Sequence, residues 1–104
     1  MLNQVVLVGR IVSDLEINET ENERKVADIT LAIPRSYKNV NGEYDTDFVT
    51  CKLWNAIAQN TAEYCKKGDL VGIKGRLQSN EDNSIVVIAE KVTFLSSKKP
   101  NEEE

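Results

Sequence analysis

Hydrophobic and polar positions alternate along most of this chain, and most sharply over residues 46–54 (TDFVTCKLW). If this segment is extended, Val49, Cys51 and Leu53 share one face, and Phe48, Thr50, Lys52 and Trp54 share the other. The first set is an ordinary core face. The second points the single Trp of the chain, one of its two Phe and a cation toward water.

The same period predicts four more strands. Residues 3–12 (NQVVLVGRIV) are rich in β-branched types, with Gly9 marking a bulge or a close backbone approach. Residues 25–36 put Ile29, Leu31 and Ile33 on one face, and Pro34 marks an edge or a strand end. Asn41-Gly42 then closes a hairpin into the strand described above. Residues 69–78 and 84–95 form the last two strands, joined by the polar turn SNEDN.

One helix interrupts the pattern. Asn55 is its expected cap, Ile57, Ala58, Thr61, Ala62 and Cys65 form its apolar stripe, and Lys66-Lys67-Gly68 supplies its stop. The order is strand, strand, strand, helix, strand, strand. It predicts an all-β fold, a five-stranded Greek-key OB-fold barrel with the helix between its third and fourth strands. Gly9, Gly72 and Gly75 fall where strongly curved strands would want them. The expected domain spans residues 1–95, and residues 96–104 (SSKKPNEEE) read as a flexible acidic tail.

Composition narrows the function. A chain of 104 residues makes one domain. No apolar run is long enough for a bilayer, and MLNQVVLVGR has neither a basic leader nor a small-residue cleavage site, so a cytoplasmic protein is expected. Cys51 and Cys65 read as small buried apolar residues, and without His a Cys/His metal site is excluded. No cofactor motif is present. Net charge is −4, yet residues 14–23 hold five acids and no base, and the terminal EEE holds three more. Setting those eight acids aside leaves nine against thirteen bases, a mildly basic remainder that permits a polyanionic partner.

The ordered set MLNQVVLVGRI, LAIPRSYKN, NGE, TDFV with Trp54 behind it, EYCKKGDLVGIKGRLQ and VTFL resembles bacterial single-stranded DNA-binding proteins through nearly all of residues 1–95. The resemblance implies a homo-oligomer, a tetramer or a dimer, in which the first strand pairs subunits. It also implies that Tyr37, Phe48 and Trp54 stack on bases. Arg35, Lys38, Lys52, Lys74 and Arg76 are the expected phosphate contacts. Arg10 could join them or serve a subunit interface, whereas Lys66 and Lys67 complement the helix C-terminus.

The chemistry is consistent. A single strand has no groove to read, so a sequence-tolerant binder needs flat rings beside cations. The rings could instead pack under a loop or into a subunit interface. Tyr64 and Phe94 are assigned to the core or to such an interface, and Tyr44 to surface packing. Three features depart from the family: the SNEDN hairpin is short and has no ring, the first loop is acidic, and NEEE has no apolar tip. The first two imply a smaller contact surface. The third leaves recruitment of replication and repair proteins unsupported.

Other function classes have less behind them. There is no His, no nucleophile motif and no phosphate loop to suggest an enzyme, and Asp45 and Asp47 read as a solvated turn. A replication-restart type of bridging barrel is the main alternative. A cold-shock-like RNA binder would need more clustered aromatics.

Overall fold

The computed structural model describes residues 1–96, and in them the alternation becomes a closed sheet. The elements in chain order are β1 (Val5–Ile11), β2 (Ile17–Glu19), β3 (Lys25–Lys38), β4 (Tyr44–Trp54), α1 (Asn55–Tyr64), β5 (Leu70–Ser79) and β6 (Ile85–Ser96). The sheet runs β1-β5-β6-β4-β3-β2, and a further pairing of Arg10 and Ile11 with Ala32 and Leu31 brings β1 back to β3. That pairing shuts the barrel and leaves only the short β2 at an edge of the described sheet. All ladders are antiparallel except the short β4–β6 contact, where Cys51 and Lys52 meet Val87 and Ile88.

The expected barrel is therefore present, with one addition. The acidic segment read as a loop contains β2, which pairs Ile17–Glu19 with residues 25–27. Its turn is closed by the Thr20 and Glu23 amides and by Glu23 at φ 61°, without a Gly to announce it. Pro34 does not end its strand either. It pairs with Thr46 inside β3, and a register shift between Pro34 and Lys38 absorbs the irregularity. Ser96 is the last residue of β6. Residues 97–104, the rest of the expected tail, lie outside the described residues.

The core is filled by Ile11, Ile29, Leu31, Leu53, Val71 and Ile73, with Cys51 and Cys65 buried as free thiols. Burial pushes the Cys51 thiol up to about 11, which removes its nucleophilic form at neutral pH. Ala58, Thr61 and Cys65 of the expected stripe are buried in this core from α1 and its C-cap, and Ile57 and Ala62 are partly buried. Two glycines are required by close approach. A Cβ on Gly9 would stand 2.8 Å from Ile33 Cγ1 and 2.9 Å from the Ala32 carbonyl oxygen, and one on Gly75 would overlap the Ile88 carbonyl. Gly72 has ordinary room for a methyl group.

Asn55 does not cap α1. It adopts φ 52°, Trp54 occupies the N-cap position, and no side chain bonds the helix end. Asn tolerates the left-handed region better than most residues, so its use here is to turn the chain from strand into helix. Lys66 and Lys67 lie beyond the last turn, which contains no base.

Candidate nucleic-acid interface

The outer face of the β3–β4 ladder is built by register. Pro34, Ala32, Thr30, Asp28 and Val26 stand opposite Thr46, Phe48, Thr50, Lys52 and Trp54. Cross-strand partners project to the same side, so the ladder shows solvent two rings, a cation and a Thr30–Thr50 hydroxyl contact at 3.3 Å. Phe48 is 66% exposed, whereas its neighbours in sequence, Val49 and Thr50, divide between the core side and the outer side. Six residues of strand put Phe48 and Trp54 about 20 Å apart.

Trp54 sits differently from Phe48. It is half-buried and lines a cleft of about 560 Å³ together with Arg24, Asn55, Arg76, Gln78 and Glu90. The Arg24 guanidinium lies 4.9 Å from the centre of the indole ring, a cation–π arrangement. Arg76 reaches the same cleft from β5 and bonds Glu90 at 3.3 Å. The cleft thus joins an aromatic platform on β4 to cations from two other strands or their approaches.

At the far end, the β3–β4 hairpin is fixed by its turn. Asn39 Oδ1 accepts from the amides of Asn41 and Glu43, at 2.8 and 3.0 Å, and Gly42 takes φ 78°. This is the Asn-Gly turn the sequence predicted. Tyr37 is 64% exposed on this arm, and Lys38 Nζ lies 5.8 Å from the Tyr44 ring. Arg35 donates from Nε and Nη2 to Asp47, the closest contact being 2.9 Å, and Nη1 lies 3.7 Å from Asp45. Asp45 and Asp47, read as a solvated turn, therefore hold an arginine. That hydrogen bond and the adjacent positive charge keep the Asp47 carboxyl below its ordinary range.

The eight expected site residues are not equally gathered. Phe48, Lys52 and Trp54 share one ladder face, and Arg76 meets Trp54 in the cleft. Arg35, Tyr37 and Lys38 occupy the arm. Lys74 is exposed on β5, opposite Val6 on one side and Lys91 on the other, and does not line the cleft. Arg24, which the sequence pattern did not single out, also lines the cleft. Its signal was its position: the first base after five acids, just ahead of Val26, the cross-strand partner of Trp54.

Tyr64 and Phe94 are not core residues. Both are exposed and line a shallow groove with Val92, because one ends α1 and the other lies near the end of β6. Arg10 Nη1 donates to the Gly68 carbonyl at 2.9 Å.

A family model described as the single-strand binding protein family matches residues 2–95. The chain belongs to that family. Among single-strand binding proteins, "Single-stranded DNA-binding protein B" of Bacillus subtilis is 45% identical to it over 94% of both chains. "Single-stranded DNA-binding protein 2" of Listeria monocytogenes is 41% identical over 99% of this chain and 69% of its own length. The crystal structure of the SSB domain of a Synechococcus protein superposes with a TM-score of 0.74 at 19% identity, over 90% of this chain and 97% of that one. The last comparison carries the fold alone. Seen as a single-strand binding domain, the molecule has rings and cations on the outside of its barrel and its apolar bulk inside.

Proposed function

We propose that the protein binds single-stranded DNA without catalysis and without strong sequence preference, protecting it during replication, recombination or repair. Bases stack on Trp54, Phe48 and Tyr37. Lys52, Arg76, Arg35, Lys38 and Lys74 meet phosphates, and Arg24, which lies over the Trp54 ring, joins them at that end of the face. The observation that carries this reading is the Phe48–Lys52–Trp54 face, which exposes stacking surface and charge in a member of the single-strand binding protein family.

Single-strand binding proteins typically oligomerise. For this chain a homotetramer assembled through β1 is the finer reading, supported by Val6 and Val8, which turn 69% and 50% of their surface outward. No helix among the described residues is long and apolar enough to cross a membrane. The partner is DNA, and the corresponding location is the cytoplasm of a bacterial cell.

The test is fluorescence anisotropy of labelled oligo(dT) with duplex DNA as competitor, combined with light scattering of the free and loaded protein. Binding that falls with added salt, resists duplex competition and gives four subunits per complex is expected. Equal preference for duplex would overturn the reading, and a dimer that binds only with a second protein would favour the bridging role.

A further inference from the structure

Three of the cations assigned to phosphates are already paired with carboxylates. Lys52 Nζ is 3.2 Å from Asp28, Arg76 Nη1 is 3.3 Å from Glu90, and Arg35 Nη2 is 2.9 Å from Asp47. Each pairing follows from the strand geometry. Asp28 is the cross-strand partner of Lys52. Glu90 is the unmatched residue where the β5–β6 register jumps from Lys74–Lys91 to Gly75–Ala89, and the irregularity brings it to Arg76. Asp47 presents both oxygens to Arg35, engaging Nε and Nη2 along one edge of the guanidinium. That edge is the one a phosphate would use. All three carboxylates are about half exposed, so each is in reach of an arriving strand.

We propose that Asp28, Asp47 and Glu90 compete with DNA phosphates for Lys52, Arg35 and Arg76, so that the protein holds its binding cations in an internally neutralised state. The inference rests on the single-strand binding reading above and concerns how that same face is tuned. A phosphate arriving at one of these cations weakens or displaces its carboxylate pairing, and the freed carboxylate then repels the phosphate. It also takes up a cation from solution while the phosphate sheds one. Net ion release per contact is therefore small, and the affinity depends on salt less steeply than the number of cations implies. Asp28, Asp47 and Glu90 become residues that set affinity and salt response without touching a base.

The test compares the unmodified protein with Asp28→Asn/Asp47→Asn/Glu90→Gln by anisotropy of labelled oligo(dT) across a series of NaCl concentrations. The triple variant is expected to bind more tightly at low salt, by up to about fivefold for each pair released. Its log–log salt slope should be steeper by about 0.7 per released cation. The gap between the two proteins then closes as salt rises. Asp47→Asn alone, on the exposed arm, supplies the same comparison at one position if the triple variant melts early. An unchanged affinity and slope in variants that remain folded would overturn the proposal, while Trp54→Ala weakening the unmodified protein would show that the binding reading itself survives. If neither protein binds oligo(dT) at low salt, both fall together.

Discussion

The two faces of β4 are made of alternate residues on one backbone, yet they answer to different physics. Cys51 and Leu53 are sealed inside the barrel, where their contribution depends on volume and apolar area. Phe48, Lys52 and Trp54, one residue out of step, sit on a ladder whose partners are Ala32, Asp28 and Val26. Their contribution to folding is limited by water, and what they hold in reserve is surface for a partner. The lesson is that one pleat can fix a fold and display a binding face at once, because the strand period separates the two tasks without compromise.

Truncating one side chain on each face separates their roles. Leu53→Ala should destabilise the fold by about 2–5 kcal/mol, read in chemical denaturation, with DNA affinity lost only as the folded fraction is lost. Trp54→Ala should weaken oligo(dT) binding by about 1–3 kcal/mol with the barrel still folded, and Phe48→Ala should lie in the same range. A Trp54→Ala protein that unfolds outright would assign the indole to the core and invert the face assignment. Tyr37→Ala should cost less, under about 1 kcal/mol, because Tyr37 stands on the hairpin arm where the register shifts, off the regular ladder face that Phe48 and Trp54 share.

The inner face makes a chemical prediction too. Cys51, with its thiol pushed up to about 11, should resist thiol reagents at pH 7 until the protein is denatured. The smallest effect belongs to the arm. Asp47 has its folded-state value lowered below the ordinary 3.8, so its contribution to stability is present above that value and is lost as the pH falls through the lowered one. Asp47→Asn should remove that part of the acid sensitivity. Carboxyl NMR titration of Asp47 checks the direction directly, and a midpoint at or above 3.8 would contradict the Arg35 pairing.

Alternation alone was enough to separate Leu53 from Trp54, to place the barrel strands and to locate the Asn41-Gly42 turn, because each is a matter of local period or turn chemistry. What the sequence hid depends on register. The pairing of Asp28 with Lys52 links positions 24 residues apart, and Glu90 meets Arg76 only because the β5–β6 ladder slips by one residue. Neither offset leaves a trace in hydrophobic pattern. β2 was hidden by its acids, since three exposed residues offer no apolar face to read. Asn55 misled for a different reason: its side chain suits a cap, and its backbone was used for a left-handed turn instead. The half-burial of Trp54 was likewise invisible, because the cleft around it is assembled by Arg24, Arg76 and Glu90 from separate strands or their approaches.

If the outer face of β4 receives unpaired bases, the single Trp reports it without a label. Titrating the protein with oligo(dT) at low salt should quench the emission of Trp54 in a saturable way as bases stack on the indole and displace Arg24 or close over it. An emission spectrum that stays unchanged while anisotropy shows the DNA fully bound would contradict the account, since the strand would then be held somewhere else on the barrel.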